Sequence, residues 1–219
     1  MGKLADILVS GGIPPAEAAQ AETILNSGSY TWANRPTSPF AKQRVTFSDI
    51  GPTGSDWMWD GSYWVPLAPV VLYRGAGTQA SPLNTLAAIS GTFVNPGSIP
   101  AGLFVKPGMR LDIRANIHKI GANGTGTVAV LLGTQSYYSG SFAATDGLDG
   151  RIHFSVEAAS SATQTSENLA PDNTLTVAAV FQDNTIDFAA AARAVNVTLS
   201  GAVATDSYKL VSYSIVLYP

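Results

Sequence analysis

The chain has 219 residues, no cysteine, 46% apolar residues and only 12% charged ones, which excludes disulfide scaffolds and cysteine-based zinc sites. Globular domains carry about 25% charge, so a surface this poor in charge is expected to be covered partly by other subunits. Net charge is −3, with nine Lys/Arg and seven Asp/Glu up to residue 121 and three against eight thereafter. That balance argues against nucleic acid as a partner.

No apolar run approaches the ~18 residues a membrane helix needs. Leu4 to Val9 is interrupted by Asp6 and lacks a small-residue cleavage site. The expectation is a protein made in a cytosol, unprocessed and not inserted in a membrane. In that setting the sequons at Asn123 and Asn196 carry little weight.

Residues 1–27 read as two short helices: Leu4, Ile7 and Leu8 at helical spacing before Gly11-Gly12, then Ala16 to Asn26, opened by Pro14-Pro15 and stopped by Gly28. Helices this short draw most of their stability from what they pack against. Either the segment lies on its own domain, or it is an attachment helix offering Ile13, Ala18, Ala21, Ile24 and Leu25 to a partner. The attachment reading is preferred. Gly28 to Phe40 has turn chemistry and no period, and reads as a linker.

The next module, to residue 67, carries Val45 and Phe47 in alternation and then Asp56-Trp57-Met58-Trp59-Asp60-Gly61-Ser62-Tyr63-Trp64-Val65. Asp60-Gly61 is a strong two-residue hairpin signal. That loop would place Trp57 opposite Trp64 and put Trp57, Trp59 and Trp64 on one face. Such a face either supplies the core of a small sheet without disulfides or stacks on a sugar or a partner.

Residues 68–219 read as β throughout. Leu111, Ile113, Ala115 and Ile117 alternate with Asp112, Arg114, Asn116 and His118, and Ile152, Phe154 and Val156 alternate with Arg151, His153, Ser155 and Glu157, giving strands with one wet face. Asp112, Arg114, Arg151 and Glu157 are therefore expected in solvent. Other strands are apolar on both sides, around Val128 to Leu132, Leu175 to Phe181 and Leu210 to Leu217. Because a sandwich strand needs only one buried face, these require a second cover. The fold class expected is all-β: a jelly-roll-like β-sandwich head preceded by a small β-hairpin module and a short N-terminal helical segment.

Catalytic signals are weak. His118 and His153 lie on polar strand faces with no His-x-His or acidic companion. Asp56 with Asp60, and Asp146 with Asp149, are the carboxylate pairs that glycosidase chemistry would need, yet both read first as turn residues. Calcium at Asp146 and Asp149 departs from the spacing of a calcium loop. No enzyme, metal or cofactor is expected.

The strings Tyr30-Thr31-Trp32-Ala33-Asn34-Arg35-Pro36, Arg44 to Gly51 and Trp59 to Trp64 resemble a hairpin module of bacteriophage tail fibre and tailspike proteins. Val71-Leu72-Tyr73, Leu86 to Ile89, Ile99 to Leu103, Lys106 to Leu111, Leu132-Gly133 and Tyr213 to Leu217 resemble the jelly-roll head of phage virion proteins. The resemblance implies a homotrimeric virion component that acts by binding, with no catalytic motif. It differs from long fibres in lacking a shaft between hairpin and head.

The favoured function is a short tail fibre or receptor-binding head, joined to other virion proteins through the N-terminal segment. It would touch host surface polysaccharide or another receptor with loops such as Gln135 to Gly150 or Ser160 to Asn173. The alternatives are a capsid decoration, cement or head-fibre trimer and, further off, a polysaccharide depolymerase. Ala129, Leu131, Ala178, Val180 and Val216 are assigned to the trimer contact, as the outer face of one sheet.

Overall fold

The computed structural model describes residues 11–12, 14–16, 28–86, 90–168, 175–177, 181–201 and 203–219. The attachment-helix residues Ile13, Ala18, Ala21, Ile24 and Leu25 lie outside that set, as do Ala178 and Val180. The chain divides into two compact units, with the break after Ala68.

The first unit holds a four-stranded sheet of β1 (Ser29–Tyr30), β2 (Arg44–Phe47), β3 (Ser55–Trp59) and β4 (Trp64–Pro66), in that order. β1 runs parallel to β2, and a single 3-10 turn, Trp32–Asn34, follows it. Gly28 to Phe40 is therefore not merely a linker, because Trp32 is buried and packs 4.9 Å from Phe47 and 5.3 Å from Trp57, ring centre to ring centre. The Asp49 carboxylate accepts the Trp32 N–H at 2.8 Å, and the Arg35 guanidinium lies 4.7 Å above the indole.

The hairpin register differs from the one expected. Trp59 pairs with Trp64, and Trp57 pairs with Pro66, so the loop has four residues rather than two. A two-residue type I′ turn needs positive φ at both positions, whereas here Gly61 has φ of 111° and Asp60 is not in that region. Asp60 instead accepts the N–H groups of Ser62 (2.9 Å) and Tyr63 (2.8 Å) on one carboxylate oxygen and closes the wider loop.

The second unit is a jelly-roll-like β-sandwich. Its strands are β5 (Val70–Ala76), β6 (Asn84–Leu86), β7 (Gly91–Ile99), β8 (Arg110–Ile120), β9 (Gly126–Leu132), β10 (Gln135–Phe142), β11 (Leu148–Ala158), β12 (Thr163–Asn168), β13 (Leu175–Val177), β14 (Phe181–Thr185), β15 (Arg193–Ser200) and β16 (Ser207–Tyr218). One sheet runs β13-β10-β9-β15-β7. The larger runs β14-β12-β11-β8-β16-β5, with β6 also pairing the start of β16.

The inner faces meet through Val128, Val130, Val195 and Val197 on one side and Ile113, Ala115, Ile152 and Ile215 on the other, all buried. Tyr138 stacks on Phe154 at 5.8 Å and Phe142 meets Tyr208 at 5.6 Å, ring against ring across the two sheets. At Gly97, whose φ is 138°, the Tyr73 ring occupies the space a Cβ would need. The Tyr73 hydroxyl then donates to the Ser98 carbonyl at 2.8 Å.

The apparent two-sided hydrophobicity of the last strand has a local cause. A bulge between Leu210 and Ser212 adds one residue and switches parity, so Leu210, Ile215 and Leu217 all face the core although their numbers differ in parity.

Candidate binding face on the larger sheet

The tryptophan cluster proves to be the core of the first unit. Trp57 has no exposure, and Trp32 and Trp64 have 4% and 6%. Trp59, half-buried, stacks on Trp64 at 5.5 Å. The Trp57 indole N–H donates to Ser55 Oγ at 2.8 Å, so its polar edge is already satisfied.

The residues assigned to the trimer contact do not share one face. Ala129 and Leu131 are half-buried on the outer side of β9 in the five-stranded sheet, while Val216 lies on the outer side of β16 in the larger one. The physical reason is strand pairing: β9 pairs with β10 and β15, whereas β16 pairs with β8 and β5, so the two strands belong to opposite sheets. Asp112 also departs from expectation: it is 5% exposed, with Arg110 Nε 3.0 Å from one carboxylate oxygen and that guanidinium stacked 4.5 Å from the Tyr218 ring. Arg114, Arg151 and Glu157 are exposed as expected. Of the stretches read as contact loops, Gln135 to Gly150 is mostly strand, in β10 and β11, and the described part of Ser160 to Asn173 contains β12.

What the fold does assemble is a depression of about 220 Å³ on the larger sheet, where Gln79, Asn116, Asp149 and Arg151 line it together with Ile117, Gly150 and Val211. Pairing of β8 with β11 sets His118 beside Asp149 and Asn116 beside Arg151, and pairing of β8 with β16 adds Ser212 beside Asn116. Asp149 Oδ1 meets His118 Nδ1 at 2.7 Å and accepts from Gln79 Nε2 at 3.0 Å, which holds the carboxylate in one orientation. Asn116 Nδ2 donates to Ser212 Oγ at 2.7 Å; an amide still has a second N–H and a carbonyl oxygen to offer. Lys209 Nζ donates to the Gln79 carbonyl at 2.9 Å and so anchors the loop after β5. A few ångströms of surface thus hold a carboxylate, amides and a guanidinium, which suits recognition of clustered hydroxyl groups.

One row further along the same two strands, His153 stands opposite Arg114. Burial, and then the Arg114 guanidinium, push its pKa below the usual imidazole value. The remaining acidic candidates have structural partners. Asp146 accepts the Gly121 N–H at 2.6 Å and Asp56 accepts the Thr46 hydroxyl at 2.6 Å. Among the described residues there is no group of three or more His, Asp or Glu that could hold a metal ion, and no helix long and apolar enough to cross a membrane.

The fold and this face define the class as a β-sandwich with a polar surface site. No protein-family model matches the chain, and a search of characterised proteins finds no match. Among solved structures it is similar to the CBM2 module of the evolved Dit of Lactobacillus casei BL23 phage J-1, at 13% identity over 68% of this chain and 76% of that one, with a TM-score of 0.30. It is also similar to lectin I of Ulex europaeus, solved with the methyl glycoside of α-L-fucose, at 10% identity over 80% and 97%, with a TM-score of 0.35. A third is the infectious bursal disease virus VP2 subviral particle, at 14% identity over 84% and 41%, with a TM-score of 0.25. Likenesses this distant leave the function to be argued from the site itself.

Proposed function

We propose that this chain is a non-catalytic bacteriophage virion component, a short tail fibre or receptor-binding head, whose sandwich adheres to host surface polysaccharide at the depression around Asp149. The observation that carries the reading is the Asp149 carboxylate, oriented by His118 and Gln79 and lining the same depression as the Asn116 amide, its diagonal neighbour on an open sheet face. Donors and acceptors at this spacing recognise sugar hydroxyls. The phage-like motifs along the sequence supply the virion setting.

The test is a bacterial surface-glycan array probed with the purified chain. Asp149→Asn and Asn116→Ala should each weaken the strongest signal about tenfold or more, because each removes a partner from a hydrogen-bonded contact, while thermal unfolding stays unchanged. Equal binding by the variants would move the site elsewhere.

The proposal includes a homotrimer joined to other virion proteins through the N-terminal segment. The outer face of the five-stranded sheet supports it: Thr127, Ala129, Leu131, Ser139, Asn196 and Thr198 are half-buried and uncharged, as suits the charge-depleted core of an interface. Sedimentation at micromolar concentration should give three times the chain mass of 22.7 kDa, and Leu131→Glu should reduce it to the monomer. A wild-type monomer would overturn the trimer.

A further inference from the structure

Resting on that reading, we infer that the ligand of the larger sheet's outer face is an acidic polysaccharide, bound through its carboxylate or sulfate groups by Arg74, Arg114 and Arg151. Register brings these cations together from distant parts of the chain. One cross-strand row reads Arg74, Ser214, Arg114, His153; the next reads Ala76, Ser212, Asn116, Arg151; a third reads Lys209, His118, Asp149. Within these rows four cations, Arg74, Arg114, Arg151 and Lys209, face one carboxylate, Asp149, although the whole chain carries −3.

The three arginines are exposed. Arg114 lies diagonally across from Arg151, roughly 7–8 Å away along the sheet, and two strands from Arg74, roughly 10 Å. The patch is bounded, since Glu157 and Glu167 are exposed beyond it on β11 and β12. Burial and then the Arg114 guanidinium lower the His153 pKa, and Asp112, one row beyond Arg114, opposes them.

The physical argument is one of desolvation. A neutral sugar chain laid on this face strips water from guanidinium groups and returns no charge. A carboxylate or sulfate returns charge-assisted, two-pronged hydrogen bonds that match the guanidinium fork. An acidic chain is also steered toward a cationic region on a protein of net negative charge.

The experiment measures binding of the full chain to alginate, polygalacturonate, hyaluronan and dextran sulfate, with carboxyl-reduced alginate and dextran as neutral partners and duplex DNA as a general polyanion. The expected result is binding to at least one acidic glycan, at least about tenfold tighter than to its neutral partner and to DNA. That binding should fall as salt shortens the screening length to about 8 Å near 0.15 M. Arg114→Ser with Arg151→Ser should reduce it about tenfold at an unchanged melting temperature. No binding to any of the acidic glycans, equal binding to the neutral partners, or DNA held as tightly overturns the inference. Neutral glycans bound on the surface-glycan array, with loss in Asp149→Asn, would leave the adhesion reading standing while this one falls. Silence on that array as well would remove both.

Discussion

Lys119→Met is expected to lower the thermal midpoint of the sandwich by roughly 10 °C. Lys119 and Asp206 are both fully buried, with Nζ 3.3 Å from the Asp206 carboxylate. The same ammonium donates to the carbonyls of Gly124 (2.8 Å), Ala143 (2.9 Å) and Thr145 (3.2 Å). One side chain therefore ties the loop after β8, the loop after β10 and the turn before β16. Removing it leaves Asp206 without its counter-ion and takes a donor from three carbonyls at once. Asp206→Asn should cost less, because the ammonium keeps its carbonyl partners.

The acid response checks the cause. Burial pushes the Asp206 carboxyl up, but the Asn123 backbone N–H, the Lys119 ammonium and the Asn123 side-chain amide outweigh it, and the net pKa lies below the ordinary aspartate value. A carboxyl depressed in the folded state contributes stability above the unfolded pKa of about 3.9 and loses it as pH falls through the folded value. Melting curves of wild type and Lys119→Met should therefore converge on acidification below about pH 4. A gap that stays constant with pH would show that packing, not the ion pair, is responsible.

Trp57→Ala should unfold the first unit outright. Burial of a large aromatic in a packed core is worth about 3–5 kcal/mol against alanine, as much as a module of this size commonly has in total. Trp57 sits 5.3 Å from Trp32 and 5.8 Å from Phe47, ring to ring, so its loss opens the centre of the cluster. All four tryptophans lie in this unit, at positions 32, 57, 59 and 64. Fluorescence excited at the indole band therefore reports this unit alone, and its emission should shift to that of solvated indole. In a double-mutant cycle built on Trp→Phe substitutions, which keep an aromatic ring in each place, the observed pairing puts the coupling between Trp59 and Trp64, which meet at 5.5 Å, and little between Trp57 and Trp64. Native emission in Trp57→Ala would refute the place of Trp57 at the centre of the core, and strong Trp57 to Trp64 coupling would refute the register.

The shared tryptophan face was legible despite a misplaced loop. The expected and observed registers differ by two residues, and side-chain direction in a strand repeats every two. The loop itself was not legible, because Asp-Gly serves a two-residue turn as well as the wider loop that Asp60 closes with its carboxylate. Trp32 gave no signal, since a short 3-10 turn has no period; it is buried by side chains about 15 and 25 positions ahead of it. Lys119 did leave one trace. It continues the odd-numbered inward series Leu111, Ile113, Ala115, Ile117, and a lysine on a buried face demands a partner.

What the sequence determined by itself is the local pattern: turns from glycine and aspartate, and strands with one apolar face where the alternation is strict, as in β8 and β11. These depend on neighbours a few residues apart. What only the tertiary structure decided is which strands lie side by side and where a bulge switches parity. The cationic face needs Arg74, Arg114, Arg151 and Lys209 from four strands in one register, and the buried clasp needs Lys119 to meet Asp206 across 87 residues. Such pairings are set by the order and register of strands far apart in the chain within the larger sheet, and no short window of sequence encodes them.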